Sequence, residues 1–304
     1  MVKVLATDGM DKSGIEALEQ KGCTVSCNFC GPEALCGEVQ NCDVLVVRSA
    51  TKVRKQQIDA AAEAGRLKLI IRGGVGVDNI DVEYAEQNGI QVKNTPRASS
   101  NTVAELALAH MFSVARFISM AGHSMREDRW DKNEYKGIEL AGRTLGIIGC
   151  GRIGQMLAAK AQALGMKVLA CDIYHAPGLE CETFHYCELD ELLANSDFIS
   201  LHTPSLDGKP LINAETIAKM KDGAVLVNTS RGNNVDEQAL LDALNSGKLR
   251  GAGLDVFAEE PSKNEKLYSH PRVSCTPHIG ASTEEAQKRI GAEIVDMIAS
   301  QFKL

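Results

Sequence analysis

The 304-residue sequence predicts an α/β fold of two doubly wound parallel-sheet domains with an active-site cleft between them. Three observations carry this prediction. Short apolar runs alternate with helix-length amphipathic segments along most of the chain, the pattern of strands joined by right-handed helical crossovers. The length suits two cores at roughly 100–200 residues per domain. Finally, glycine and polar residues follow the apolar runs, and ligands in such folds bind beyond the carboxyl ends of the strands.

Taken in order, Val4-Leu5-Ala6, Val44-Leu45-Val46-Val47 and Lys68-Leu69-Ile70-Ile71 read as buried strands of a first unit. Leu145-Gly146-Ile147-Ile148, Lys167-Val168-Leu169-Ala170, Phe198-Ile199-Ser200-Leu201 and Ala224-Val225-Leu226-Val227 read as strands of a second. Between them, Asn94-Thr95-Pro96-Arg97 marks a break, because the residue before a proline is pushed out of helical geometry. Ser99-Ser100-Asn101-Thr102 can cap a helix running from about Val103 to Ala121. From Thr283 to Phe302 a helical tail places Ala286, Ile290, Ile294, Ile298 and Phe302 on one apolar face that must pack on something already built. The expected organisation is a discontinuous domain of residues 1–97 plus 283–304, with a second domain of residues 98–282 between its parts.

Lys and Arg total 33 against 40 Asp and Glu, a formal charge of −7, so no general attraction to nucleic acid or anionic lipid is expected. An anionic ligand must be held by a local basic cluster. The N-terminus reads directly into a strand, and Val103 to Ala121 contains Glu105, His110 and Arg116, too polar for a membrane span. A cytosolic protein is expected. The ten cysteines then read as reduced thiols. Cys27-Asn28-Phe29-Cys30 is formally a C-x-x-C among Cys23, Cys36 and Cys42, but Cys23, Val25, Cys27 and Phe29 alternate as one face of a strand and no second such pair lies nearby. No metal site is expected.

Gly149-Cys150-Gly151-Arg152-Ile153-Gly154 is G-x-G-x-x-G, directly after one strand and before a helix. The first glycine permits a tight turn, the second lets backbone approach a pyrophosphate, and the third allows close helix packing. The next strand ends at Cys171-Asp172, where a carboxylate can bind both hydroxyls of an adenosine ribose and repel an added phosphate. This Rossmann pattern predicts NAD as cofactor.

Three further segments look unlike packing: Asn228-Thr229-Ser230-Arg231-Gly232, Asp255-Val256-Phe257 through Glu259-Glu260-Pro261, and Thr276-Pro277-His278-Ile279-Gly280. With Gly74-Val75-Gly76-Val77-Asp78-Asn79 and the glycine fingerprint, they resemble the D-2-hydroxyacid dehydrogenase family over essentially the whole chain. The resemblance implies an NAD-dependent dehydrogenase in which His278 is the acid/base, Glu260 hydrogen-bonds its other ring nitrogen, and Arg231 binds the carboxylate and polarises the C2 oxygen. It implies a carboxylate cradle at Gly73, Gly74 and Val75, although Val75 stands where many relatives carry a hydroxyl residue. It also implies cofactor contacts from Arg152, Ile153, Thr203, Thr229, Ser230, Asp255, Gly280 and Ala281. A homodimer is expected by the same resemblance, built on the interdomain helix and the segment from Met125 to Lys136.

Within the family, Val47-Arg48-Ser49-Ala50-Thr51-Lys52 and His278-Ile279-Gly280-Ala281-Ser282-Thr283-Glu284-Glu285-Ala286-Gln287 are most similar to members acting on a phosphorylated glycerate. Arg48 and Lys52, with Arg54 and Lys55 nearby, would supply the basic cluster, and Arg129, Lys132 and Lys136 could add to it across a dimer. Two alternatives remain open. One is a glycerate/hydroxypyruvate or D-lactate type of reductase using the same three residues, and the other is an NAD-sensing, corepressor-like scaffold. Some phosphoglycerate-acting relatives carry a further domain that binds serine, and ending at Leu304 leads to an expectation of no serine feedback.

Overall fold

Runs of Val, Leu and Ile buried on both faces set the strands of a first parallel sheet. The computed structural model describes residues 1–205 and 208–304. Its chain begins β1 (Lys3–Ala6), α1 (Lys12–Gln20), β2 (Thr24–Ser26), α2 (Pro32–Glu38), β3 (Val44–Val47), α3 (Lys55–Ala64), β4 (Leu69–Arg72), α4 (Val82–Gln87) and β5 (Gln91–Asn94). The five strands are parallel in the order β2-β1-β3-β4-β5.

There follow α5 (Ser100–Arg116), α6 (Ile118–Arg126), β6 (Thr144–Ile148), α7 (Arg152–Ala163), β7 (Lys167–Cys171), β8 (Phe184–Tyr186), α8 (Leu189–Asn195) and β9 (Phe198–Leu201). The chain continues through α9 (Ala214–Lys219), β10 (Ala224–Asn228), α10 (Glu237–Ser246), β11 (Leu249–Leu254), α11 (Glu265–Tyr268), β12 (Val273–Cys275) and α12 (Glu284–Phe302). The second sheet is parallel with seven strands, ordered β12-β11-β10-β9-β6-β7-β8. Strand order reverses between β6 and β9, and the residues just beyond their ends, Gly149 and His202, sit at this switch point, where doubly wound folds bind ligands.

Contacts divide the chain into two compact units, Met1–Ser99 with Ala281–Leu304, and Ser100–Gly280. In the first, α12 closes one face of the sheet: Ile290, Ile294, Val295 and Ile298 are buried with Val4, Val44, Val46, Leu69 and Ile71. Each such side chain contributes roughly 1.5–3 kcal/mol on burial. Thr283 caps the helix by accepting from the Ala286 amide at 3.2 Å. The opposite face buries Leu5, Leu45, Val47 and Ile70 beneath α2 and α3, which supply Leu35 and Ile58.

Three departures from the sequence expectation have a physical cause in the packing. The helix expected from Val103 to Ala121 is two helices bent by 65°, because Phe117 takes a left-handed conformation at φ 56°. The Ala115 carbonyl, which a continuous helix would use internally, instead accepts from the Ile138 amide at 2.9 Å. Second, the expected cysteine strand stops at Ser26: Cys23 is buried, whereas Cys27 and Phe29 are exposed. Third, β11 carries two glycines, and the apolar pattern does not mark it as a strand. A Cβ at Gly251 would lie 2.6 Å from the Arg272 carbonyl oxygen, and one at Gly253 would lie 2.5 Å from His110 Cβ. Among the described residues, no single helix is long and apolar enough to cross a membrane.

Candidate active site

Gly149, Gly151 and Gly154 occupy three different environments at the turn from β6 into α7. Gly149 has φ +92°, open to glycine and strained for other residues, and a Cβ there would lie 2.8 Å from the His202 carbonyl. A Cβ on Gly154 would lie 2.4 Å from the Gly149 carbonyl oxygen, so this glycine lets the helix seat against its own turn. Gly151, the N-cap of α7, has nothing within 4 Å of a built Cβ. That open space above a helix N-terminus fits a dinucleotide pyrophosphate.

Asp172 follows β7, and its carboxylate accepts from the amides of Cys150 at 2.6 Å and Tyr174 at 2.9 Å. It therefore braces the glycine turn while retaining acceptor capacity for a ribose. Arg152 and Ile153 form the first turn of α7. Thr203 beyond β9 is held by Asn234, whose side-chain amide lies 3.1 Å from its hydroxyl. At the end of β10 the Thr229 hydroxyl is buried without a protein partner, while Ser230 bonds Asn228 at 2.8 Å. An orphaned hydroxyl beside the glycine turn's neighbouring strands is what a polar cofactor would satisfy. These residues fit NAD.

Arg231 comes next, its Nη1 donating to the Ser230 carbonyl at 2.7 Å. A Cβ on Gly232 would lie 1.9 Å from the Phe257 carbonyl, so the Arg231 segment is pressed against the loop that carries Glu260. Glu260 Oε2 lies 2.7 Å from His278 Nδ1, and Oε1 accepts from the Phe257 amide at 3.3 Å. Burial pushes the Glu260 carboxyl up, but the His278 hydrogen bond and charge, with the Phe257 amide and the charge of Arg231, carry it net below its ordinary value. Arg231, Glu260 and His278 are thus gathered within one unit.

His278 sits at φ 54°, which costs a residue with a Cβ about 1–2 kcal/mol. Asp255, at the end of β11, holds it there. Its carbonyl accepts from the His278 amide at 2.8 Å, and its buried carboxylate accepts from the amides of Ile279 and Gly280, each at 2.8 Å. The missing side chain at Gly280 permits this approach, since a Cβ would come 3.1 Å from Asp255 Oδ2. Burial pushes the Asp255 carboxyl above its ordinary value against these hydrogen bonds.

In the other unit, Asp8 at the end of β1 accepts from the Arg48 and Thr51 amides at 2.6 and 3.1 Å. Asn79 donates to the carbonyls of both residues at 2.7 Å, fixing the loop after β3. Arg48 lines a pocket of 440 Å³ with Asp11, Ser282, Thr283, Glu284, Gln287 and Lys288. The sequence reading missed Gln287 and Lys288 as neighbours of Arg48, for they lie in α12, some 240 residues further along the chain. Of the cations expected there, Lys52 is exposed and not in this lining, Arg54 donates to the Asp78 carbonyl at 2.9 Å, and Lys55 pairs with Asp59. Arg129 is engaged by Glu127 and Asp131. The Gly73 and Gly74 amides already donate, to the Val47 and Arg72 carbonyls at 2.9 Å each, while Val75 is partly exposed. Ala281 accepts at its carbonyl from Gln287 at 2.7 Å.

Residues 108–280 match the model of the D-isomer specific 2-hydroxyacid dehydrogenase NAD binding domain. A hydroxypyruvate reductase of Thermotoga maritima is 47% identical over 99% of this chain and 98% of its own. A D-3-phosphoglycerate dehydrogenase of Methanocaldococcus jannaschii is 45% identical over 98% of this chain, which spans 57% of that protein's length. Among solved structures, a D-lactate dehydrogenase from Aquifex aeolicus, complexed with NAD and lactic acid, superposes with a TM-score of 0.86 at 31% identity, covering 99% of this chain and 95% of that one. The chain belongs to the D-isomer specific 2-hydroxyacid dehydrogenase family and uses NAD.

Proposed function

We propose that the protein oxidises D-3-phosphoglycerate to 3-phosphohydroxypyruvate with NAD, and catalyses the reverse reduction, as the first step of phosphorylated serine biosynthesis. The observation that carries the substrate class is the pocket lined by Arg48, Lys288, Gln287 and Ser282, donors suited to a phosphate in a protein of net charge −7, although the carboxylates of Asp11 and Glu284 line it too. Similarity to phosphoglycerate dehydrogenases supports the same reading.

In this reading Glu260 occupies Nδ1 of His278, which leaves Nε2 to take the C2 hydroxyl proton during oxidation and return it during reduction. The Glu260 carboxylate stabilises the imidazolium in its charged form. Arg231 binds the substrate carboxylate and draws charge from the C2 oxygen. Gly149, Gly151, Gly154 and Asp172 hold NAD, with Arg152, Ile153, Thr203, Thr229, Ser230, Asp255, Gly280 and Ala281 around it. NAD, when bound, supplies the hydride acceptor and in its reduced form the donor. Exposed Ile118, Met125 and Trp130, on α6 and just beyond it, support a homodimer, and the protein is read as cytosolic.

A second reading, hydroxypyruvate reduction, is favoured by the near full-length similarity to the Thermotoga maritima enzyme. NADH consumption by the purified chain with 3-phosphohydroxypyruvate, hydroxypyruvate and pyruvate separates the readings. A kcat/KM about 10–100-fold higher for the phosphorylated acid is expected from one charge-assisted phosphate contact. Equal values would transfer the assignment to hydroxypyruvate, and no turnover on any of the three would leave a scaffold role.

A further inference from the structure

His110 lies on α5, fully enclosed, with its imidazole packed over Gly253 of β11 where any side chain would collide with it. Its ring bridges two hydroxyls: Nδ1 is 3.1 Å from Ser274 Oγ and Nε2 is 3.1 Å from Thr276 Oγ1. Thr276 in turn donates to Asp255 Oδ1 at 2.6 Å. A threonine hydroxyl has one proton, and here it goes to the carboxylate, so the oxygen must accept from His110 Nε2. The imidazole is therefore the Nε2-protonated tautomer, and Nδ1 accepts from Ser274. The hydrogen bonds all run one way, from Ser274 through His110 and Thr276 to Asp255. Burial, which pushes His110 down to about 4, agrees with a neutral ring.

The chain ends on the residue that shapes the catalytic loop. Asp255 accepts from the amides of His278, Ile279 and Gly280, and so fixes the left-handed turn at His278. We propose that His110 is a positioning residue for His278, acting through Thr276 and Asp255. A donated hydrogen bond makes the Thr276 hydroxyl a stronger donor, which strengthens its hold on the Asp255 carboxylate and keeps both oxygens in register with the loop amides. An apolar residue would fill the same space but leave the Thr276 oxygen without its donor. The inference rests on the reading of His278 as the acid/base.

The test uses single-turnover hydride transfer from NADH to hydroxypyruvate, with NADH affinity measured alongside. His110→Leu should slow the transfer about tenfold, the worth of one buried hydrogen bond, with NADH affinity within about twofold of wild type. His110→Gln keeps a donor for Thr276 and an acceptor for Ser274, and should restore the rate to within about threefold. Thr276→Val breaks the same link at its other side. It should match His110→Leu, with no added loss in the double variant, and it decides the matter if His110→Leu does not fold. Wild-type transfer in His110→Leu and Thr276→Val, equal losses in the Leu and Gln variants, or fully additive losses would each overturn the proposal. His278→Ala, run in parallel, separates the two levels. If it keeps wild-type transfer, the acid/base reading fails and this inference falls with it, whereas an inactive His278→Ala beside an unaffected His110→Leu rejects the positioning role alone.

Discussion

His278 Nδ1 and Glu260 Oε2 lie 2.7 Å apart, so one ring nitrogen is committed to a carboxylate, and in the proposed mechanism the other serves the substrate. The two residues arrive from separate loops, after β12 and after β11, so the pairing is a product of the sheet rather than of sequence proximity. Glu260 is held below its ordinary value by His278 after burial is overcome, so it remains a carboxylate throughout neutral and mildly acid pH. Its folded value is depressed, so the stability it gives is complete above its ordinary 4.5 and is lost as pH falls through the folded value. Glu260→Gln should lower kcat for reduction about 10–100-fold, because an amide does not hold the imidazole as a carboxylate does. An unchanged kcat would remove Glu260 from the mechanism.

Gly151 and Gly154 should fail in opposite ways. Gly154→Val meets the Gly149 carbonyl and should destabilise the fold by about 1–3 kcal/mol or more, seen as a lower thermal midpoint. Gly151→Val has open space and should leave stability within about 0.5 kcal/mol, yet abolish measurable NADH binding by filling the phosphate path. Intact NADH binding in Gly151→Val would place the cofactor elsewhere.

Arg48→Gln is expected to raise KM for 3-phosphohydroxypyruvate about 10–100-fold and to change KM for hydroxypyruvate by less than about threefold. Lys288→Gln should follow the same pattern more weakly, since its side chain is exposed. Equal effects on both substrates would detach this pocket from phosphate recognition.

Acid should weaken the second unit through its buried histidines. Burial pushes His110 and His202 down from 6.5 to about 4. Between those values the unfolded chain binds protons that the folded chain refuses, so stability falls as pH drops from about 6.5 toward 4. For His110 the loss at pH 5 is about 2 kcal/mol. The thermal midpoint of His110→Gln should therefore fall less than that of wild type between pH 7.5 and pH 5. A parallel fall in both would mean that His110 is protonated in the folded state.

The central strands of both sheets were legible because each is a continuous buried run, as in Val44–Val47 and Ala224–Asn228. The glycine turn and Asp172 were legible because their chemistry is local in sequence. What escaped is what only the fold brings together. β5 and β12 are short edge strands with few apolar residues, and β11 hides behind Gly251 and Gly253, whose purpose is to admit Arg272 and His110. The bend at Phe117 depends on Ile138 claiming the Ala115 carbonyl, a contact no helical periodicity contains. Likewise Arg48 was singled out with its sequence neighbours Lys52, Arg54 and Lys55, whereas its pocket is completed by Lys288 from α12.

The most direct measurement is turnover of His278→Ala beside its NADH affinity. Reduction of hydroxypyruvate and 3-phosphohydroxypyruvate should fall by at least about a hundredfold, since general acid catalysis is worth roughly 10²–10⁴ and the hydride step cannot finish without a proton, while NADH binds as in wild type. Turnover within tenfold of wild type, with NADH binding intact, would contradict the assignment of His278 as the acid/base.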